Sequence, residues 1–241
     1  MKNLMEQTPF NYIAIPKTID NDVPLTSLSI GYETALTIAT EALDRLHTTA
    51  ASHDRIMILE VMGRDAGHIA LNAGIAGGAD IILVPEIPYT LEGILDALNG
   101  VKNQGRDHAL IIVSESVPMP AGDTKTIEYP DHRVRYGGIA HALGELIARA
   151  TKREVRTQHL GHMQRGGSPC ARDRILGTLF GYHAATLALK GQFNRMVIWN
   201  DARVSDVAIE SVFGKENIIS PQDPLIHAAQ ALGIYVGRIP K

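Results

Sequence analysis

An α/β fold built on parallel sheets is predicted by three features of the 241-residue chain. Short β-branched runs alternate with longer segments of helical periodicity. The runs are almost continuously apolar in their middles, as strands covered on both faces tend to be. Polar, glycine-bearing loops recur directly after the runs, where parallel strands present ligands at their C-terminal ends.

The elements follow in order. The first strand is YIAIP, 12–16, closed by Pro16. A helix over 31–47 follows from Ala35, Leu36, Ala39, Ala42, Leu43 and Leu46, which recur at helical spacing. RIMILEVM (55–62), DIILVPE (80–86), HALIIVSES (108–116), EVRTQHLG (154–161) and RMVIWND (195–201) read as further strands. Between them the spacing predicts helices over 67–76, 91–102, 136–150 and 171–189. This alternation implies βαβ units with right-handed crossovers. Residues 119–135, MPAGDTKTIEYPDHRVR, hold no period and read as a long surface loop. Lobe boundaries are expected near Thr26 and near Gly161.

Composition narrows the function. A net charge of −3 argues against a general nucleic-acid binder. No apolar run approaches the roughly 20 residues that cross a bilayer. The single cysteine, Cys170, allows no internal disulfide. The N-terminal MKNLMEQTPFN lacks the apolar core of a secretion signal, so a cytoplasmic location is expected. His159 and His162 lie three apart, but there is no HExxH helix, and structural metal is not expected. GxSxG and a strand-borne GxGxxG are also missing.

The chemistry gathers after the strands. KTIDND follows the first, MGRDAGH (62–68) the second, Pro85 and Glu86 the third; Glu115 lies near the end of the fourth, and GHMQRGGSP (161–169) follows the fifth. Five strands are therefore expected to direct polar groups to one rim. Asp20 and Asp22 suit a general base with a second acid near a cation, though aspartates also cap helices and stabilise turns. Arg64, at the mouth of a helix between Gly63 and Gly67, suits an anion held by backbone N–H groups; pairing with Asp65 is the plainer alternative. His162 and Arg165 beside paired glycines suit phosphate, against a tight turn with a solvated arginine.

In this order, PKTIDND, SHDRIMILEVMGRDAGHIAL, AGGADIILVPE and LGHMQRGGSPCARDR resemble the phosphofructokinase family, with similarity from about Tyr12 to about Leu189. The resemblance implies three-layer, Rossmann-like parallel sheets in two lobes, and phosphoryl transfer to the 1-hydroxyl of fructose 6-phosphate. It implies that Asp20 takes the proton of that hydroxyl and that Thr18 helps place sugar and phosphoryl group. Asp22 would lie near the magnesium-phosphate region. Met62, Gly63 and Arg64 would contact the sugar, and Arg64 would also stabilise charge on the transferring group. Glu115 would accept from a sugar hydroxyl. His162 and Arg165 would hold the 6-phosphate. Arg55 and Arg156 match positions that reach this phosphate from a neighbouring subunit, so a homo-oligomer, dimer or tetramer, is implied.

Two departures from the family pattern shape the expectation. The family's nucleotide half, with the main magnesium ligand, lies upstream of the first strand, whereas only 1–10 precede it here. The chain is therefore expected to be a C-terminal portion with an incomplete N-terminal lobe, inactive alone. Its expected divisions are 1–25 as the remnant of the donor lobe, 26–161 as the sugar-phosphate lobe, and 162–241 returning to the first lobe. The alternative is a non-catalytic sugar-phosphate-binding or regulatory chain. The second departure is Lys17, where many ATP-dependent bacterial members have glycine; it leaves ATP or pyrophosphate open as donor. With His47 and Gln104 at effector positions, and only Arg106 keeping a positive charge, no strong ADP or phosphoenolpyruvate response is expected.

Overall fold

A computed structural model describes residues 10–120, 122–128 and 134–238. Its strands are β1 (Ile13–Ala14), β2 (Lys17–Thr18), β3 (Ile30–Gly31), β4 (Ile56–Val61), β5 (Ile81–Leu83), β6 (Ala109–Ser114), β7 (Thr126–Glu128), β8 (Val134–Tyr136), β9 (Val155–His159), β10 (Arg195–Asn200) and β11 (Arg203–Ala208). The helices are α1 (Tyr32–Ser52), α2 (His68–Ala76), α3 (Leu91–Asn103), α4 (Ile139–Thr151), α5 (Ala171–Leu189) and α6 (Pro224–Ala231), with 3-10 turns at Gly161–Arg165 and Ile209–Val212. The chain divides into two compact units, Met1–Thr34 with Ser168–Asn217, and Ala35–Gly167 with Ile218–Lys241. Sequence reading divides it instead near 26 and 161, and groups 218–241 with the first lobe.

The second unit is organised by a parallel sheet in the order β5-β6-β4-β9. Every residue of β4 and β6 is buried, in keeping with apolar runs that only Glu60 and Ser114 interrupt. Ile56, Ile58, Ile111 and Val113 pack there against Ile94 and Leu98 of α3 and Leu143 and Ile147 of α4. Thr90 caps α3, its hydroxyl accepting from Gly93 N at 3.1 Å. Gly74 lets α2 lie close on the sheet, because a Cβ there would meet Ile82 Cγ1 at 2.5 Å.

In the first unit, β1 runs parallel to β10, and β10 is antiparallel to β11. Leu176, Phe180 and Leu187 of α5 pack with Val197 of β10. Asp173, also on α5, is buried and accepts from the N–H groups of Gly31 and Thr34 at 2.9 and 2.8 Å and from the Thr34 hydroxyl. It thus meets the unpaired donors that open α1.

Several expectations are corrected. YIAIP is not one strand: β1 stops at Ala14, and the chain pairs again as β2 with β3. Only four of the five loop-bearing strands share a sheet, since YIAIP belongs to the other unit's sheet. The 119–135 segment contains an antiparallel hairpin, β7 with β8. The β10–β11 hairpin turns through Asp201 and Ala202, both at positive φ, a geometry that Asn-Gly or Asp-Gly normally advertises. α6 has a readable start, with Pro224 in its first turn and Asp223 capping Leu225 N at 2.8 Å. No helix among the described residues is long and apolar enough to cross a membrane.

Candidate active site

Within the second unit, the loop after β4 carries Met62, Gly63 and Arg64. Gly63 has φ +153° and Arg64 φ +52°, conformations that persist where the surroundings hold them. Glu115, buried after β6, supplies one hold: its Oε1 accepts from Gly63 N at 3.4 Å and Arg64 N at 3.2 Å. Gln164 supplies another, its Oε1 accepting from Met62 N at 2.8 Å. The Arg64 side chain belongs to an exposed residue. Asp65 accepts from the Tyr136 hydroxyl at 2.6 Å; that bond first, then burial, pushes the tyrosine pKa up.

The expectation that this loop's amides face an anionic ligand needs amending. Gly67 N, at the start of α2, donates to Glu86 Oε1 at 3.0 Å, and Ile219 N donates to the same oxygen at 3.1 Å. The N–H groups of Gly63 and Arg64 are engaged by Glu115. The anions at these amides are the protein's own carboxylates, and the Arg64 guanidinium remains the cationic group offered outward.

His162 and Arg165 lie on the 3-10 turn that follows β9. With three residues per turn, side chains at i and i+3 eclipse. His162 and Arg165 therefore share one side and are exposed, while Gly161 and Gln164 share the other and are buried. A cation and an imidazole stacked this way suit one phosphate group. Beside them, buried Glu60 on β4 accepts from Gly138 N at 3.0 Å and Ala140 N at 2.9 Å, and pairs with His159 Nδ1 at 3.1 Å. The glycine cap of α4 has no side chain of its own, so Glu60 caps that helix from the sheet.

Arg55 and Arg156 sit elsewhere. They precede and begin β4 and β9, and both pair with Glu154, Arg55 Nε at 3.0 Å and an Arg156 guanidinium nitrogen at 2.6 Å. The bond from Arg55, followed by the charges of both arginines, holds the Glu154 carboxyl below its ordinary pKa. A six-residue strand separates this pair from Met62, roughly 20 Å at about 3.3 Å per residue. One phosphate cannot meet both ends of β4 within one chain.

In the first unit, Thr18 Oγ1 donates to Asp20 Oδ2 at 3.0 Å and accepts from Asp20 N at 3.1 Å. Asp20 is 8% exposed. Asn21, at φ +56°, fastens the loop: its Nδ2 donates to Ser27 O at 3.0 Å and its Oδ1 accepts from Ser29 Oγ at 3.2 Å. Asn217 Nδ2 donates to Asn21 O at 2.9 Å, and Asn217 N to Asp22 O at 2.8 Å. Asp22 is half-buried, and Lys17 is exposed on β2. Among the described residues no group of three or more His, Cys, Asp or Glu could hold a metal ion.

Sequence reading singled out Thr18, Asp20, Arg64, Glu115, His162 and Arg165 but not Glu60, Asn21 or Gln164. Glu60 had a visible signal, a charged residue inside an apolar strand. Gln164 acts through a contact 102 residues away and leaves none, whereas Asn21 bonds Ser27 and Ser29 within its own loop.

Comparison with known proteins places the chain in a family. The profile of the family described as Phosphofructokinase matches residues 1–188. A Synechocystis protein named ATP-dependent 6-phosphofructokinase 1 is 47% identical over 237 residues, covering 98% of this chain and 66% of that protein. A Chloroflexus aggregans protein named ATP-dependent 6-phosphofructokinase is 44% identical over 225 residues, 93% of this chain and 62% of its own length. The chain thus spans about two thirds of the length of these relatives. The structure of phosphofructokinase from Saccharomyces cerevisiae superposes with a TM-score of 0.73 at 28% identity, over 88% of this chain and 27% of that one. A pyrophosphate-dependent phosphofructokinase from Marinobacter aquaeolei shares the fold, with a TM-score of 0.77 at 22% identity over 99% of this chain and 64% of that chain. With the profile match extending over most of its 241 residues, the chain belongs to the phosphofructokinase family.

Proposed function

We propose that this chain supplies the acceptor side of a 6-phosphofructokinase, binding fructose 6-phosphate for phosphoryl transfer to its 1-hydroxyl. The observation that carries the reading is the 3-10 turn that sets exposed His162 beside exposed Arg165. In the proposed reaction these two hold the 6-phosphate, and Glu115 accepts from a sugar hydroxyl while its other contacts hold the Met62–Arg64 loop. Asp20 accepts the proton of the attacking hydroxyl, with Thr18 fixing its carboxylate; a placed base of this kind contributes about 10²–10⁴-fold. Arg64 offsets charge on the transferring phosphoryl group. Such transfer depends chiefly on positioning and charge neutralisation.

The names of the relatives at 44–47% identity favour ATP over pyrophosphate as the donor. Lys17, exposed on β2, is available to phosphate oxygens, and Asp22 lies on the same loop. Magnesium would bridge to the donor's phosphates, with its main protein ligand in the nucleotide half that the family resemblance places upstream of the first strand. The placement of Arg55 and Arg156 at the far end of β4 and β9 supports their serving a second copy of the chain. A cytoplasmic homo-oligomer is part of the same proposal.

Calorimetric titration tests it. Fructose 6-phosphate is expected to bind, fructose without its phosphate is not, and Arg165→Ala is expected to weaken binding at least tenfold. Equal affinity for fructose and its 6-phosphate would refute the reading.

A further inference from the structure

Three consecutive amides, those of Met62, Gly63 and Arg64, donate to two side chains from outside their loop. Glu115 accepts two of them and, in the proposed reaction, also meets a sugar hydroxyl. Gln164 accepts the third across 102 residues of sequence, and it is 1% exposed while its neighbours His162, Met163 and Arg165 are exposed. Only its carbonyl oxygen can accept from Met62 N, so the orientation of the amide is fixed by its partner. Its Nε2 is buried and has no hydrogen-bond partner among the described residues, so the contact with Met62 is the polar bond this side chain is seen to make. Gln164 thus faces away from the ligand groups of its own turn and toward the loop bearing Arg64, which carries a left-handed arginine.

We propose that Gln164 is a positioning residue that locks the Met62–Arg64 loop to the His162/Arg165 turn. The sugar-contacting and phosphate-contacting groups of this unit are thereby held in one register. The functional consequence rests on the acceptor reading above; the lock itself does not. Without the Gln164 acceptor, Met62 N loses its partner and the loop relaxes, while His162 and Arg165 keep their turn. Binding of a ligand that uses both elements then falls, and binding of one that uses the turn alone does not.

Gln164→Met removes the acceptor at similar volume, and Gln164→Glu keeps an acceptor oxygen without the amide donor. Hydrogen exchange of the free protein is expected to show the Met62 amide exchanging at least tenfold faster in Gln164→Met and as in wild type in Gln164→Glu. Loss of one such bond corresponds to about tenfold in affinity. Fructose 6-phosphate is therefore expected to bind Gln164→Met about tenfold more weakly, with the affinity for inorganic phosphate unchanged. Wild-type exchange at Met62 in Gln164→Met overturns the proposal, as does an equal loss for both ligands. If wild type binds neither ligand, the acceptor reading fails, and exchange at Met62 still decides the role of Gln164. Should Gln164→Met not fold, faster Met62 exchange in folded Gln164→Glu overturns the lock, and preserved exchange supports it.

Discussion

Glu60 tests how far a buried carboxylate governs the second unit. It lies on β4 at 1% exposure, and its oxygens accept from Gly138 N and Ala140 N at the start of α4. Glu60→Ala removes both acceptors and leaves Ala140 N, on a buried residue, without its partner. Hydrogen bonds to a charged group contribute about 1.5–3 kcal/mol each, so the loss of two is about 3–6 kcal/mol. For a chain of this size that corresponds to a fall of roughly 6–24 °C in melting temperature. Glu60→Gln keeps the shape and one acceptor but turns an NH₂ toward the other donor, and is expected to cost about 1–3 kcal/mol. Differential scanning fluorimetry with circular dichroism gives both shifts. If Glu60→Ala melts within about 2 °C of wild type, Glu60 is not the cap of α4 and the reasoning fails.

Other perturbations probe the remaining parts. Asp173→Ala, which strips the acceptors from Gly31 N and Thr34 N, is expected to cost about 2–4 kcal/mol in denaturant titration. Gly67→Ala would set a Cβ 2.4 Å from Val84 Cβ and 2.9 Å from Glu86 Oε2, an overpacking cost of about 1–3 kcal/mol readable as a lowered melting temperature. Burial works to raise the pKa of Asp206, but the bonds from His183 and Arg195 prevail and leave it lowered. A carboxylate with a depressed folded pKa gives stability that is present above its unfolded value, about 3.9, and is lost as pH falls through the folded one. Asp206→Asn should therefore flatten the stability profile below about pH 4, and an unchanged acid profile would contradict this.

The chain is most legible where one local rule governs. The apolar runs of β4 and β6 show their burial directly, and α5 begins and ends where the spacing places it. The spacing also accounts for two local features, the shared exposed side of His162 and Arg165, three apart on a turn, and the bond of Thr18 to Asp20, two residues on. What holds those residues is not. Glu60, Glu86 and Gln164 each act on amides far along the chain, and spacing carries no trace of such contacts. The amides of the MGRDAGH loop read as an anion site, yet Glu86 and Glu115 already supply the anion. The β11 hairpin is hidden for a different reason, since its left-handed turn is made by Asp201 and Ala202 without a glycine.

The most direct test of the acceptor assignment is a crystal structure with fructose 6-phosphate soaked into the chain. The assignment predicts density for the phosphate within hydrogen-bonding distance of both His162 and Arg165, with a sugar hydroxyl on Glu115. Phosphate bound away from that turn, or no sugar phosphate at saturating concentration, would contradict it.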